Sequence, residues 1–171
     1  MPASPEELLA YLAGLGIAVT TVDHPPLYTV GDSKALRGQI AGGHTKNLFL
    51  KDRKGALFLV VLEEDAKVDL KRIHEIIGAN GKVSFGSAEL LTEVWGVLPG
   101  AVTPFGAIND KDSRVSVVLD EALLENEVLN HHPLVNTKTT TIRREDLVAF
   151  LRATGHEPKI LAVSIGADAA A

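Results

Sequence analysis

Residues 47–62 have the sequence NLFLKDRKGALFLVVL, in which two apolar runs flank a short charged segment. The runs at 47–50 and 56–62 are rich in Leu, Val and Phe, which is typical of strands buried in a sheet. The segment at 51–55 is polar and ends in glycine, which suits a tight connection. This stretch therefore predicts a β-hairpin, and a hairpin implies antiparallel pairing.

Helices and further strands surround the hairpin in the sequence. Ser4-Pro5-Glu6-Glu7 combines a capping box with a first-turn proline, so it predicts the start of a helix. Ser87 is suited to cap a second helix. The other predicted elements are helices near 33–40, 69–77 and 144–154 and strands at 17–22, 114–119 and 160–165.

The helices and strands do not alternate in a regular βαβ pattern along the chain, which favours an α+β fold. We expect a mixed, strongly curved, barrel-like sheet with surrounding helices. The length of 171 residues suits one domain over 1–171, and we expect a flexible tail at 166–171. Hydrophobic residues make up 46% and charged residues 23%, which is typical of a soluble globular protein. Without a signal-peptide pattern or an apolar run of membrane length, the expected compartment is the cytoplasm and no membrane partner is expected.

Composition also excludes several chemistries. The chain has no cysteine, so disulfides, thiolate nucleophiles and cysteine-bound zinc are ruled out. It contains no G-x-S-x-G, P-loop, H-E-x-x-H or G-x-G-x-x-G motif. We therefore expect neither a metal nor a cofactor. The net charge of -5 argues against broad nucleic-acid coating but leaves room for one local basic face.

Two polar motifs are candidates for a site. Thr45-Lys46-Asn47 stands between a glycine pair and an apolar strand, where a lysine can reach a phosphate or a carbonyl at a pocket mouth. A plain surface lysine is the alternative. Asn130-His131-His132-Pro133 through Asn136-Thr137 concentrates hydrogen-bonding side chains. Adjacent residues of a strand face opposite ways, so which of His131 and His132 faces a pocket stays open.

Two further stretches combine stiffness with recognition groups. Tyr28 follows His24-Pro25-Pro26 and is able to stack on a base or to pack on the core. Residues 96–110, GVLPGAVTPFGAIND, are too apolar for an ordinary solvated loop. In it, Gly100 and Gly106 allow backbone N–H groups to approach a ligand such as an oxyanion. A tight crossover between two elements is the alternative.

Taken together and in this order, the 45–47 motif, the 96–106 loop and the 130–137 cluster closely resemble the YbaK/ProX family of aminoacyl-tRNA editing domains. The resemblance extends from about His24 to Gly155 and is strongest to freestanding ProX-type proteins. These are similar to the editing domain inserted in some bacterial prolyl-tRNA synthetases. The resemblance implies a YbaK-like, synthetase-associated-domain fold and hydrolysis of alanine mischarged on tRNA(Pro), with the tRNA acceptor end and prolyl-tRNA synthetase as partners.

The resemblance also implies residue roles. Lys46 matches the lysine important to the family and would anchor the tRNA terminus or hold the substrate in register. The amides of Gly100 and Gly106 would meet the ester carbonyl. His131 would limit side-chain size, with Asn47 as polar support. Thr45, Phe105, Val102 and Tyr28 complete the expected substrate-binding set. The residues expected to close a dry pocket are Val97, Leu98, Val102 and Phe105. A local basic rim for the acceptor stem would comprise Lys51, Arg53, Lys54, Lys138, Arg143 and Arg144, and the alternative is ordinary solvated charge at a hairpin turn and a helix start.

Such a site needs no covalent nucleophile, because an aminoacyl ester is already activated and positioned water suffices. Editing is also a sensible remedy for a proline pocket that cannot reject alanine, since each methylene is worth only about 1–3 kcal/mol. Two rivals stay open: a non-catalytic tRNA- or nucleotide-binding module, and a DNA-binding regulator. The second lacks a basic recognition helix, so we expect no specific duplex DNA partner. Serine and cysteine remain alternatives to alanine.

Overall fold

The structure, a computed structural model, describes residues 1–26 and 40–165. Tyr28, most of the helix predicted near 33–40 and the tail at 166–171 lie outside these ranges. What the sequence indicates for them remains a prediction. Within the described ranges, no helix has the length and apolar character needed to cross a membrane.

The first helix, α1 (Pro5–Gly14), begins as predicted. Ser4 Oγ accepts a hydrogen bond from the Glu7 N–H at 3.1 Å, and Glu7 Oε1 accepts one from the Ser4 N–H at 3.2 Å. This reciprocal pair satisfies two amides that the helix itself leaves without partners. Leu8 and Leu12, one turn apart, are buried and fix the helix to the core.

Three more α-helices follow in the described residues: α2 (Ile73–Ile77), α3 (Ala88–Trp95) and α4 (Arg144–Ala153). The predicted cap of α3 is present, because the Ser87 hydroxyl accepts a backbone hydrogen bond from the first turn. Helix α2 is shorter than predicted. Asp69 instead caps a turn through its side chain, and the helix proper starts four residues later.

Eight strands form one sheet in the described part of the chain. The predicted hairpin is confirmed as antiparallel pairing of the second and third strands. The predicted last strand is shorter than expected, and Ile165 makes only an isolated bridge to Lys67. The strands are β1 (Thr20–Asp23), β2 (Gly43–Lys51), β3 (Leu57–Glu63), β4 (Ser84–Phe85), β5 (Val115–Asp120), β6 (Val128–His131), β7 (Lys138–Arg143) and β8 (Lys159–Leu161).

The strand order is β1-β7-β6-β2-β3-β5-β8, with β4 paired to β2 off this path. The pairs β2–β6, β3–β5 and β5–β8 are parallel and the others antiparallel, so the predicted mixed α+β sheet is confirmed. The path is open, because β1 and β8 lie at its two ends. The β6–β7 pair, which the sequence did not predict, carries the histidine cluster.

The central strand β3 is covered on both faces, since six of its seven residues are buried. Leu57, Leu59 and Val61 belong to the main core, to which α1, α3 and α4 contribute. The alternate residues Phe58 and Val60, together with Leu62, belong to a smaller core that includes α2. A strand buried on both faces explains the continuous apolar run LFLVVL.

An interruption in the sheet positions the candidate site. One edge of β2 pairs with β3 from Thr45 to Lys51. The other edge pairs with β6 only at Gly43 and His44, and with β4 only at Leu50 and Lys51. Between these short pairings, in the described residues, that edge of β2 has no strand partner. The gap is where a cavity opens.

The loop at 96–110 is held rigidly against this gap. Trp95 Nε1 donates a hydrogen bond to the Thr103 carbonyl at 2.6 Å, and Asn109 Nδ2 donates one to the Trp95 carbonyl at 3.1 Å. Two short 3-10 helices, Pro99–Ala101 and Pro104–Asn109, form the loop. Its apolar side chains are therefore largely core residues, which explains why the sequence is too apolar for a solvated loop.

Candidate active site

The three sequence motifs meet at one cavity of about 220 Å³. Strand β2, the loop after α3 and the β6–β7 connection each supply part of its wall. The lining side chains are mostly polar, and two of them carry opposite charges. They are His44, Thr45, Lys46, Asn47, Glu64, Pro99, Gly100, Val102, Asn130, His131, His132 and Thr139.

The β2 motif divides across the two faces of its strand. Thr45 and Asn47 lie on one face, and Lys46 lies on the other because successive side chains of a strand alternate. The Asn47 Nδ2 donates to the Val102 carbonyl at 3.1 Å, which ties the strand to the loop. The Lys46 ammonium donates to the Ala66 carbonyl. Lys46 thus borders the cavity while holding the chain that follows β3.

His131, the last residue of β6, is buried with 3% of its surface exposed. Its Nδ1 lies 2.9 Å from Thr45 Oγ1, and its ring packs edge-on against Phe105 with centroids 5.7 Å apart. Burial, and secondarily the neighbouring His132, lowers the pKa of His131 to about 3. His131 is therefore neutral at physiological pH, and so it can orient a ligand without supplying a proton.

His132 also lines the cavity, so both histidines face it. The strand ends at His131, which removes the alternation that would send its neighbour to the opposite face. His132 Nδ1 lies 2.9 Å from the Lys138 carbonyl. Burial lowers the pKa of His132 below its ordinary value, the hydrogen bond to Lys138 opposes this effect, and His24 adds to it.

Gly100 lines the cavity, as expected for an amide that meets a ligand. A side chain at this position would find space, because an added Cβ would meet only Asn136 Nδ2 at 3.4 Å. Neither backbone conformation nor internal packing therefore requires glycine here.

Gly106, the second predicted amide donor, does not line the cavity. Its N–H already donates to the Thr103 carbonyl at 3.2 Å. An added Cβ would lie 2.1 Å from the Trp95 ring, so glycine is required by packing. Phe105 is fully buried behind His131 and supports the wall without lining it. Among the residues expected to close a dry pocket, Val102 lines the cavity, Val97 is in the core and Leu98 is 69% exposed.

Several lining residues were not singled out from the sequence. Glu64, which follows directly after β3, borders the cavity. The hairpin register could have indicated this position, because the Glu64 N–H pairs with the His44 carbonyl at 2.9 Å. Thr139 depends on the long-range pairing of β7, for which the local sequence carries no signal.

The six basic residues predicted as a rim are dispersed. Lys51 ends β2, about 17 Å along the strand from Lys46 at a rise of about 3.3 Å per residue. Arg143 and Arg144 lie at the far end of β7, beyond its cavity-lining Thr139. Lys138 is next to the cavity, where its ammonium donates to Asp23 Oδ1 at 2.6 Å. The prediction of one contiguous rim from these residues is therefore wrong.

The depressed pKa of His131 predicts a specific pH dependence of stability. In the unfolded chain His131 takes up a proton below about pH 6.5, whereas in the folded chain it does so only near its folded pKa of about 3. Lowering the pH from 7 to 5 should therefore reduce the free energy of unfolding, and the contribution of His131 to this reduction is about 2 kcal/mol. Urea unfolding of the native chain and of His131→Asn measures this term. Between pH 7 and pH 5 the variant should lose less of its free energy of unfolding than the native chain, by the contribution of His131. Equal losses in both proteins would contradict the lowered pKa of His131.

Comparison with known proteins agrees with the geometry. A family model described as "Aminoacyl-tRNA editing domain" matches residues 24–150. Prolyl-tRNA editing protein ProX of Acetoanaerobium sticklandii is 35% identical over 157 residues, covering 91% of this chain and 95% of that protein. Prolyl-tRNA synthetase associated domain-containing protein 1 of Mus musculus is 35% identical over 159 residues, covering 91% and 94%.

A solved structure supports the fold alone. It is described as a candidate trans-editing enzyme for prolyl-tRNA synthetase and superimposes with a TM-score of 0.68 at 18% identity, covering 96% of this chain and 99% of the other. Fold and site together define a small α+β domain built around a polar, ligand-sized cavity. The chain belongs to the aminoacyl-tRNA editing domain family, as the sequence resemblance predicted.

Proposed function

We propose that this chain is a trans-editing hydrolase that removes alanine from mischarged alanyl-tRNA(Pro). The observation that carries the proposal is the convergence of Lys46, Gly100 and His131 on one cavity of about 220 Å³. Relatives matched over nearly their full length carry names that refer to prolyl-tRNA editing or to prolyl-tRNA synthetase. The acceptor end of tRNA(Pro) is the proposed partner, prolyl-tRNA synthetase a second one, and the cytoplasm the proposed compartment.

The proposed reaction is hydrolysis of the ester between alanine and the terminal ribose. A water oxygen bonds to the ester carbonyl carbon, and the bond from that carbon to the ribose oxygen breaks. The ribose oxygen keeps the bonding electrons and takes up a proton, so the products are alanine and tRNA. A covalent intermediate is not needed, and the Thr45 hydroxyl is already committed to the Asn130 carbonyl at 2.8 Å.

Three parts of the cavity wall have separate roles in this proposal. The amide of Gly100 meets the ester carbonyl, where negative charge develops during water attack. The Lys46 ammonium has three donors, of which one is used on Ala66, so two remain for a phosphate or ribose oxygen of the acceptor end. His131 and Asn47 limit and orient the aminoacyl group.

Cavity size provides the selectivity. Alanine lacks the extra methylenes of proline, and close-packed walls penalise added volume. His131 is packed against Phe105, so the wall cannot retreat easily. Alanine is the proposed amino acid, and seryl and cysteinyl esters are the size-matched comparisons.

The test of the function is release of amino acid from alanyl-tRNA(Pro) and prolyl-tRNA(Pro), each corrected for hydrolysis without protein. Selective release of alanine is the expected result. Seryl and cysteinyl esters on the same tRNA rank the small side chains. Faster release of proline than of alanine would overturn the proposed selectivity.

Gly100→Ala is expected to separate function from folding. In this proposal the added methyl group crowds the ester carbonyl beside the Gly100 amide, which should slow alanine release on the order of 100-fold. Stability should change by no more than about 0.5 kcal/mol, because the added atom has space in the apo protein. Gly14→Ala, where an added Cβ meets nothing within 4 Å, is the matched control. Unchanged release by Gly100→Ala would remove this amide from the proposed site.

A further inference from the structure

Among the buried hydrogen-bond acceptors of the cavity wall are two neutral ones that no described protein group satisfies. They are Nε2 of His131 and Oδ1 of Asn47. Buried polar atoms are nearly always paired, so an unpaired one indicates a missing water or ligand. Two such atoms in one small cavity indicate a ligand that donates hydrogen bonds.

The hydrogen bonds around His131 fix which nitrogen carries the proton. The Thr45 hydroxyl donates its single proton to the Asn130 carbonyl at 2.8 Å. Its oxygen can therefore only accept at the 2.9 Å contact with His131 Nδ1, which places the proton on Nδ1. In the neutral ring, Nε2 is then a bare acceptor.

A hydrogen bond likewise fixes the orientation of the Asn47 amide. Its Nδ2 donates to the Val102 carbonyl at 3.1 Å, so the amide cannot turn over without losing this bond. Oδ1 is consequently held as an acceptor. Thr45 and Asn47 lie on the same face of β2, and His131 contacts Thr45, so the two acceptors share one side of the cavity.

We propose that His131 Nε2 and Asn47 Oδ1 bind the α-amino group of the aminoacyl ester. This inference rests on the proposed function and names the feature by which its substrate class is recognised. The α-amino group supplies at least two N–H donors, whereas the ester carbonyl is only an acceptor and a ribose hydroxyl has one proton.

This arrangement makes a free α-amino group a requirement. An acylated nitrogen, as in a peptidyl or formylated ester, has one N–H and adds bulk where the acceptors converge. A hydroxyl in place of the amine leaves one acceptor buried and unpaired, which a polar site penalises strongly. The chain should therefore distinguish aminoacyl esters from isosteric hydroxyacyl esters.

The test compares alanyl-tRNA(Pro) with lactyl-tRNA(Pro), made from it by nitrous acid deamination, and with N-acetylalanyl-tRNA(Pro). Each rate is divided by the rate without protein, since the amine also activates the free ester. We expect the native chain to prefer the alanyl ester by on the order of 100-fold. Comparable accelerations of the alanyl and lactyl esters would overturn the assignment. Bound water would then be the partner of the two acceptors.

Thr45→Val keeps the side-chain shape and removes the oxygen that accepts from His131 Nδ1. The ring is then free to carry its proton on Nε2, so the preference for the alanyl over the lactyl ester should fall by about tenfold. A purely structural role for Thr45 would slow both esters equally and leave their ratio unchanged, which would contradict the proposed fixing of the proton.

Equilibrium binding distinguishes failure of amine recognition from failure of the proposed hydrolysis. Calorimetry with 3′-alanylamino-3′-deoxyadenosine and its lactylamino counterpart requires no turnover. Tighter binding of the alanylamino compound supports amine recognition even if no ester is cleaved. Equal binding of both compounds, or of neither, would contradict it whatever the ester assays show.

Discussion

Asp110→Ala should lower the free energy of unfolding by roughly 3–5 kcal/mol, because it leaves a buried imidazole nitrogen and two backbone amides without their partner. Asp110 is 3% exposed. Its Oδ1 accepts from the Arg114 N–H at 3.0 Å, and its Oδ2 accepts from the Val115 N–H at 2.9 Å and from His156 Nε2 at 2.9 Å. The carboxylate thus joins the end of the 96–110 loop to β5 and to the chain after α4.

His156 is held by hydrogen bonds at both ring nitrogens. The Thr154 hydroxyl donates to the Leu151 carbonyl at 2.9 Å, and its oxygen lies 3.0 Å from His156 Nδ1. The other nitrogen, Nε2, lies 2.9 Å from Asp110 Oδ2. Both side chains are buried, so removing Asp110 leaves His156 Nε2 without its partner.

Urea denaturation of the native chain and of Asp110→Ala measures this effect. Asp112→Ala is the matched control, because Asp112 is exposed on the same turn and should change stability by no more than about 0.5 kcal/mol. Asp110→Ala with a loss below about 1 kcal/mol would show that the pair is not the anchor described here.

Lys46→Ala should slow alanine release from alanyl-tRNA(Pro) by roughly 100-fold or more, because the acceptor end loses the donor that holds it in place and a small displacement of the reacting ester costs about this much. Among the described residues that line the cavity, Lys46 is the one lysine, and the substitution removes it. It also removes the hydrogen bond to the Ala66 carbonyl, so some loss of stability accompanies it. Alanine release is measured in a single turnover with protein in excess. The assay contains no urea and is run where the variant is fully folded.

Lys51→Ala separates a site effect from a general charge effect. Lys51 lies on the same strand, is exposed and is distant from the cavity. It should retain the native rate. Native-like release by Lys46→Ala, or an equal loss in both variants, would remove Lys46 from the proposed site.

Local sequence predicted the features that depend on neighbouring residues. The Ser4 capping box, the Ser87 cap and the 47–62 hairpin are each fixed by groups a few residues apart, and all are confirmed. The three motifs carry the family resemblance, and the fold explains why they matter together, because a gap at the edge of β2 brings them to one cavity.

The remaining features of the site depend on long-range contacts, which the local sequence does not predict. The roles of Glu64 and Thr139 depend on strand register, and the burial of Gly106 depends on where the Trp95 ring comes to lie. Adjacent histidines suggested opposite faces, but the strand ends between them. The orphaned acceptors on His131 and Asn47 depend on what Thr45 and the 96–110 loop already bind, which no residue pattern contains.

The central claim is that this chain hydrolyses an aminoacyl ester of tRNA(Pro). The most direct measurement is release of labelled alanine from alanyl-tRNA(Pro) with the native protein in excess, compared with the same tRNA alone. Protein-dependent release, with prolyl-tRNA(Pro) left intact, is the predicted result. Binding of the alanyl-tRNA without any release above background would contradict the claim and make the chain a binding module.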